Sequence, residues 1–249
     1  MKNRYLENLR KIEFVITSAC TGSCKHCSQG EHAASTEKMD PVIAANVVKR
    51  VASLYDVQTV MAFGGEPLLH PDAVYAVIAA AKEAGVCRRQ LITNGFFSKD
   101  TEKIRAVAGA LALAGVNDLL LSVDAFHQET IPLEEVKRFA ELALSFGIPL
   151  RLQPAWLVSE SHDNPYNRKT REILDSFGAL APVGEGNVIF PEGNARLYLA
   201  EYFKDGMPQN PYIENSRDVR TLSVSSNGDV LDGNVYKRDI LDILESYAP

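Results

Sequence analysis

Four cysteines in 249 residues are too few for a disulfide scaffold, and none of them follows Cys87. No apolar run reaches the roughly 18 residues of a membrane span. The opening residues Met1 to Tyr5 lack the apolar core of a secretory signal. Basic residues are outnumbered, 26 Lys and Arg against 32 Asp and Glu, and the net charge of -6 argues against a nucleic-acid-binding surface. These absences point to a cytoplasmic protein in a reducing compartment, with neither membrane nor nucleic acid as partner. What is present is core material: at 46% hydrophobic, the chain is able to bury one sizeable α/β domain.

Three of the four cysteines fall within eight residues, Cys20-Thr-Gly-Ser-Cys24-Lys-His-Cys27, spaced Cx3Cx2C. Directly before them stands the β-type run Lys11 to Thr17. Thiolates gathered on one loop suit a metal ion or an iron–sulfur cluster. Three of them leave one coordination position open, which is where chemistry happens in a catalytic site.

Glycines that follow amphipathic runs recur at 85, 115, 147 and 178, separated by 30, 32 and 31 residues. Each fits the residue just past a helix, where the chain turns through positive φ. The helical runs carry apolar residues at i, i+3, i+4 and i+7, as in Ile104, Val107, Ala108 and Leu111. Asp40-Pro41 supplies an N-cap and a first-turn proline. This alternation is that of repeated βα units around a parallel sheet. The spacing predicts strands near 11–17, 58–63, 88–93, 117–123, 148–153 and 186–190. Helices are expected near 41–54, 72–84, 99–114, 132–146, 166–177 and 195–203. Eight units of ~30 residues would consume nearly the whole chain, yet the pattern stops about 40 residues early. The expected architecture is therefore a partial (β/α)6, TIM-like barrel over 1–205. A C-terminal extension over 206–249 packs on it, carrying a hairpin around Asn227-Gly228 and a helix near 237–246.

In such barrels the active site lies at the C-terminal ends of the strands. Polar residues gather there: the cysteine loop after the first strand, Gly64-Gly65-Glu66-Pro67 after the second, and Asn94-Gly95 after the third. Ser122 and Asp124 end the fourth strand, and Arg151 and Gln153 stand on the fifth.

The cysteine motif, followed 37 residues later by Gly64-Gly65-Glu66-Pro67, resembles the radical S-adenosylmethionine (SAM) superfamily over residues 11 to 203. The resemblance implies a [4Fe–4S] cluster held by Cys20, Cys24 and Cys27. The fourth iron is left for the amino and carboxylate groups of SAM. It implies an enzyme in which an electron splits SAM into methionine and a 5′-deoxyadenosyl radical, which takes hydrogen from a peptide or small-molecule substrate. A flavodoxin- or ferredoxin-like protein would donate the electron. The segment Gly64 to Pro67 would receive the methionine ammonium on its backbone carbonyls, and Glu66 would fix that loop. His26 stands where the superfamily usually has an aromatic residue beside adenine. Ser122 and Asp124 would meet ribose hydroxyls, and Arg151 the methionine carboxylate.

Other readings stay open on the residues alone. Three cysteines with His26 or His32 also suit zinc. Ser122 and Asp124 also suit the cap of the next helix, Arg151 an ion pair, Asn94-Gly95 a turn, and Trp156 the core. His127 and His162 stand isolated in the sequence. The loop 159–168 is polar and suits a rim that closes over the mouth. Phe190 to Ala195 and Leu222 to Leu231 resemble the C-terminal part of peptide-modifying radical SAM enzymes, without the cysteines of an auxiliary cluster. The alternatives in function are a cofactor-biosynthesis radical SAM enzyme and a non-catalytic metal or Fe–S binding protein.

Overall fold

The repeat of strand, helix and glycine folds into a parallel sheet. In this computed structural model, described over residues 3–31, 35–204 and 208–249, β1 (Lys11–Val15), β2 (Thr59–Phe63), β3 (Arg88–Thr93), β4 (Asp118–Ser122) and β5 (Leu150–Gln153) lie side by side in chain order. Alternation along each strand decides the two faces. Ile12, Phe14, Val60, Ala62, Leu91, Leu119, Leu121 and Leu152 are fully buried in the main core. On the other parity stand Lys11, Glu13, Gln90, Asp118, Arg151, Ser122 and Gln153 among Val15, Met61, Phe63, Ile92 and Leu120, so the inner face is mixed, with polar groups.

The crossover helices form where the sequence signals them. Asp40 accepts from Val42 N and Ile43 N to cap α1 (Pro41–Leu54), and Asp100 likewise caps α3 (Thr101–Ala114). Between them α2 (Pro71–Glu83) has Pro71 at its first position. All four spaced glycines adopt positive φ, +75° at Gly85, +102° at Gly115, +77° at Gly147 and +56° at Gly178. The period of the sequence is therefore the period of the fold. A short α4 (Ala125–Gln128), absent from the periodic reading, precedes α5 (Leu133–Ser145).

The sixth strand differs from expectation. Residues 186–190 yield only the two-residue β7 (Asn187–Val188), which pairs in parallel with β6 (Ala155–Trp156) beyond the end of β5. The sheet proper is completed at its opposite edge by β8 (Thr221–Val224), parallel to β1 with Ile12 facing Leu222. The stretch read as one arm of a hairpin is thus a sheet strand. Its alternating Leu222 and Val224 are fully buried, and that burial is what places it there. The tight antiparallel pair lies just after it, β9 (Asp229–Val230) with β10 (Gly233–Asn234). The sheet stays open, with six strands in the order β5-β4-β3-β2-β1-β8 and no closure between β5 and β8.

The last helix, α8 (Ile240–Ser246), packs on α1, where Arg50 binds Asp239 at 2.9 Å. The boundary expected at 205–206 lies outside the described residues. Among the described residues, no helix is long and apolar enough to cross a membrane.

Candidate active site

The cysteine loop leaves β1 at Thr17, which is fully buried and donates its hydroxyl to Glu37 O at 2.7 Å. From Cys24 the chain turns in two short steps, Cys27 N to Cys24 O and Gly30 N to Cys27 O, each 3.2 Å. A second segment clamps this turn from outside. Asn194, in α7 (Gly193–Tyr198), donates through its backbone to Cys27 O at 2.9 Å and through Nδ2 to Cys24 O at 3.1 Å. A Cβ on Gly193 would stand 2.5 Å from both Cys27 O and Ser28 O, so only glycine fits there. Cys24 is buried, Cys20 and Cys27 are half-buried, and Cys87 is exposed.

The Gly64-Gly65 pair meets the entrance of this loop. Gly65 N donates to Thr17 O and Glu66 N to Ala19 O, both at 2.8 Å. A Cβ on Gly65 would overlap the Ala19 carbonyl oxygen and lie 2.6 Å from Ser18 O. The reason for glycine here is therefore contact with the protein's own cysteine loop, in addition to any room needed by a ligand. Glu66 is fully buried and accepts from Leu68 N at 2.8 Å, Thr93 Oγ1 at 2.7 Å and Asn94 N at 2.9 Å. Burial pushes its carboxyl up to about 7 against the pull of those three donors. Glu66 thus ties the ends of β2 and β3 together, and Pro67 opens the short turn beyond it. Glu66→Gln sets an amide N–H against one of these donors. It should lower unfolding free energy by about 1–3 kcal/mol in a denaturant titration, and an unchanged midpoint would remove the carboxylate from this role.

At the end of β3, Asn94 Nδ2 reaches Thr21 Oγ1 at 3.2 Å and Cys20 Sγ at 3.6 Å. At the end of β4, Asp124 is fully buried, and each of its oxygens accepts two bonds. One oxygen takes Phe126 N and His127 N; the other takes Ala155 N at 3.0 Å and His127 Nδ1 at 2.8 Å. Burial alone would raise this carboxyl, but His127 outweighs it and holds the group down at about 2. All of its acceptor sites are taken. Asp124 is therefore the cap of α4 and the anchor of His127, the helix-cap role that the sequence left open beside a ribose contact.

These strand ends surround a cavity of about 260 Å³, far above the ~15 Å³ that one water needs. Cys20, Cys24 and Cys27 line it, with Gly64, Gly65, Asn94, Ser122 and Gln153 at the strand ends.

The model of the family described as "Radical SAM superfamily" matches residues 14–153, more than half of the chain. The chain belongs to the radical SAM superfamily. A probable GTP 3′,8-cyclase of Saccharolobus islandicus is 26% identical over 225 residues, 82% of this chain and 68% of that protein. The structure of Streptococcus suis SuiB bound to S-adenosylmethionine superposes with a TM-score of 0.63 at 14% identity, covering 97% of this chain and 66% of SuiB. That of anSMEcpe with bound AdoMet gives 0.61 at 14% identity, over 95% of this chain and 80% of that one. The chain thus spans about two thirds of the length of the first two.

The cofactors of this radical SAM protein are a [4Fe–4S] cluster and SAM, and the residues present fit them. Burial pushes the Cys20 thiol up to about 11, and Glu66 adds to it. Burial and then Asp124 push Cys24 further up, and burial raises Cys27. Sulfurs so placed ionise against a metal rather than against the protein. Among the described residues, the set of three ligand atoms within 4.8 Å of one another is Cys24, His26 and His127, not the three cysteines. Three thiols on one loop, all lining this cavity, are the donor set of an iron–sulfur cluster with one position left open. Among the described residues, four buried side-chain atoms have no partner in this structure: His26 Nδ1, Gln128 Nε2, Arg151 Nε and Asn194 Oδ1.

Of the residues expected at the site, His26, Gly64, Gly65, Asn94, Ser122 and Asp124 line the cavity with the cysteines, while Glu66 and Pro67 support it from behind. His26 lies 5.0 Å, ring to ring, from Phe126, which itself stacks on Tyr166 at 4.4 Å. Arg151 departs from expectation. It binds Asp118 at 3.2 Å, at the opposite end of β4 from Ser122, and does not line the cavity. Its position in β5 places it one alternation below Gln153, so Gln153 is the residue of that strand facing the mouth. His32 lies outside the described residues.

His127 was isolated only in the sequence. In space its ring stands 4.8 Å from that of His26. Tyr212 reaches the rim from the C-terminal part and donates to Asn187 Oδ1 at 2.9 Å. Trp156 is core, with its Nε1 on Glu185 O. The stretch 159–168 is loop only to Asn164, which caps α6 (Pro165–Asp175), and Asn167 in that helix holds it with four hydrogen bonds to Leu157, Ser159 and His162.

Proposed function

We propose that this chain cleaves SAM reductively and takes hydrogen from a peptide or small-molecule substrate bound at the barrel mouth. The observation that carries this reading is the meeting of three buried or half-buried thiols with the Gly64-Gly65 strand end on one cavity. When bound, the cluster and SAM together supply the 5′-deoxyadenosyl radical that performs the abstraction.

The chain's own residues hold and shape the site. Cys20, Cys24 and Cys27 hold the cluster. Asn194 fixes the turn that presents two of them, and Glu66 fixes the neighbouring strand ends. His26, backed by Phe126 and Tyr166, offers a ring face for a planar base. Ser122, Asn94 and Gln153 offer hydrogen-bonding groups at the level of the mouth. The strands β6 and β7 with Tyr212 wall one side of the cavity.

A peptide substrate is supported by SuiB, solved bound to precursor peptide SuiA, and by anSMEcpe, solved with AdoMet and Cp18Cys peptide. The probable GTP 3′,8-cyclase supports the second reading, cofactor biosynthesis on a nucleotide. Anaerobic reconstitution tests the activity: a brown protein with about four irons per chain, and 5′-deoxyadenosine formed from SAM after reduction. Zinc content with no SAM cleavage would leave a binding protein. Offering GTP, and separately a precursor peptide encoded beside the gene, distinguishes the two substrate classes by which one becomes modified.

A further inference from the structure

The site contains a second set of ligands that the cluster does not use. Cys24 Sγ and one ring nitrogen each of His26 and His127 lie within 4.8 Å of one another. Two ligand sets therefore share Cys24: the three thiols of the cysteine loop, and the narrow set of Cys24, His26 and His127.

Three details make the narrow set a built site rather than an accident of crowding. His127 Nδ1 is held by the buried Asp124 carboxylate at 2.8 Å, which leaves Nε2 as its free ligand atom. A carboxylate behind a ligating imidazole is the usual outer partner in metal sites, since it fixes the ring and raises its basicity. Asp124 is in turn fixed by three backbone N–H groups. His26 is backed by Phe126, and its buried Nδ1 has no partner in this structure. The donor set, one thiolate and two imidazoles, suits zinc: four-coordinate, with water in the fourth position. Ideal bonds of ~2.0–2.3 Å place such ligand atoms about 3.3–3.5 Å apart. The observed 4.8 Å limit then asks for a closure of at most about 1.3–1.5 Å by side chains on a loop turn and a helix of one turn.

We propose that the cluster-free chain binds one zinc ion between Cys24, His26 and His127, in a state exclusive of the iron–sulfur cluster. Exclusivity follows from Cys24, whose sulfur is required by both. On binding, the Cys24 thiol gives its proton to solvent and the thiolate bonds to zinc, with no change of oxidation state. The ion would occupy the site of the protein before iron arrives, and would slow cluster assembly when zinc is abundant. This inference does not depend on the substrate, nor on SAM cleavage being observed.

The test uses cobalt(II) as a coloured stand-in for zinc on full-length, chelator-treated, cluster-free protein. One cobalt per chain is expected, with a sulfur-to-cobalt charge-transfer band, intense tetrahedral visible bands, and displacement by zinc. His127→Asn and Cys24→Ser should lose the spectrum, while Cys20→Ala and Cys27→Ala should keep it. Iron loading should show the reverse pattern: Cys20→Ala and Cys27→Ala lose the four-iron cluster, and His127→Asn keeps it. Zinc present during reconstitution should lower the iron content of the wild type but not of His127→Asn. Far-UV circular dichroism checks folding; should His127→Asn unfold, His26→Phe, which preserves the ring packing on Phe126, takes its place. No charge-transfer band in the wild type, or a spectrum lost in Cys20→Ala but retained in folded His127→Asn and His26→Phe, overturns the proposal.

Discussion

Cys24→Ala is expected to hold no four-iron cluster and to form no 5′-deoxyadenosine from SAM on reduction. Of the three cysteines in the motif, Cys24 is the most buried, and it packs in a small apolar cluster with Phe126, Ala155, Leu157 and Ala195. Its sulfur has no replacement in the cluster's donor set, because the fourth cysteine of the chain, Cys87, is exposed at the start of β3, far along the strand from the mouth. Two thiolates cannot hold the cube, so the loss is near total rather than graded. Folding should survive: trimming one sulfur from an apolar site costs about 1–2 kcal/mol, against a total stability of about 5–15 kcal/mol for a domain. Cys87→Ala is the matched control and should leave iron content and cleavage intact. Full iron loading in folded Cys24→Ala would remove this loop as the cluster site, and with it the proposed activity.

How much of this was legible in the sequence depended on the range of the interaction that decides it. The βα period was legible because helix caps and C-terminal glycines act within a few residues. Asp40, Asp100 and the four positive-φ glycines all stand where the local chemistry requires them. The cysteine motif was legible because its three thiols sit on one loop of eight residues, so the spacing alone keeps them near one another. The partner of β8 was not, since four alternating residues, Thr221 to Val224, specify which face is buried but not which strand lies alongside. The placement of His127 was also hidden: it meets His26 only because Asp124 caps α4 and turns the chain across the mouth. Arg151 shows the complementary case, where the ion-pair reading is the one the structure displays. A charged residue near a strand end invites a ligand, but strand alternation and the carboxylate at Asp118 draw it down to the opposite end of the sheet. Asn194 carried no signal in its own segment, since its partners, Cys24 and Cys27, lie about 170 residues earlier.

Gly65→Ala is expected to separate iron binding from stability. The methyl group would point into the backbone of Ser18 and Ala19, the two residues that lead into Cys20. Backbone carbonyls have no rotamer to give way, so relief must come from moving one chain segment against the other. That movement breaks the bonds from Gly65 N to Thr17 O and from Glu66 N to Ala19 O, which register the cysteine loop against β2. Overpacking of this kind costs about 1–3 kcal/mol, so the domain should still fold, but with Cys20 shifted from its two partners. Gly147→Ala provides the comparison. That glycine has φ +77°, and a methyl added there would meet nothing within 4 Å, so the substitution brings only backbone strain, about 1–2 kcal/mol. The two variants should therefore melt at similarly lowered temperatures, while iron per chain after reconstitution falls several-fold in Gly65→Ala and stays at the wild-type value in Gly147→Ala. Equal iron in both would mean that the glycine pair serves the ligand alone, and that the contact between the second strand end and the cysteine loop does not position the cluster.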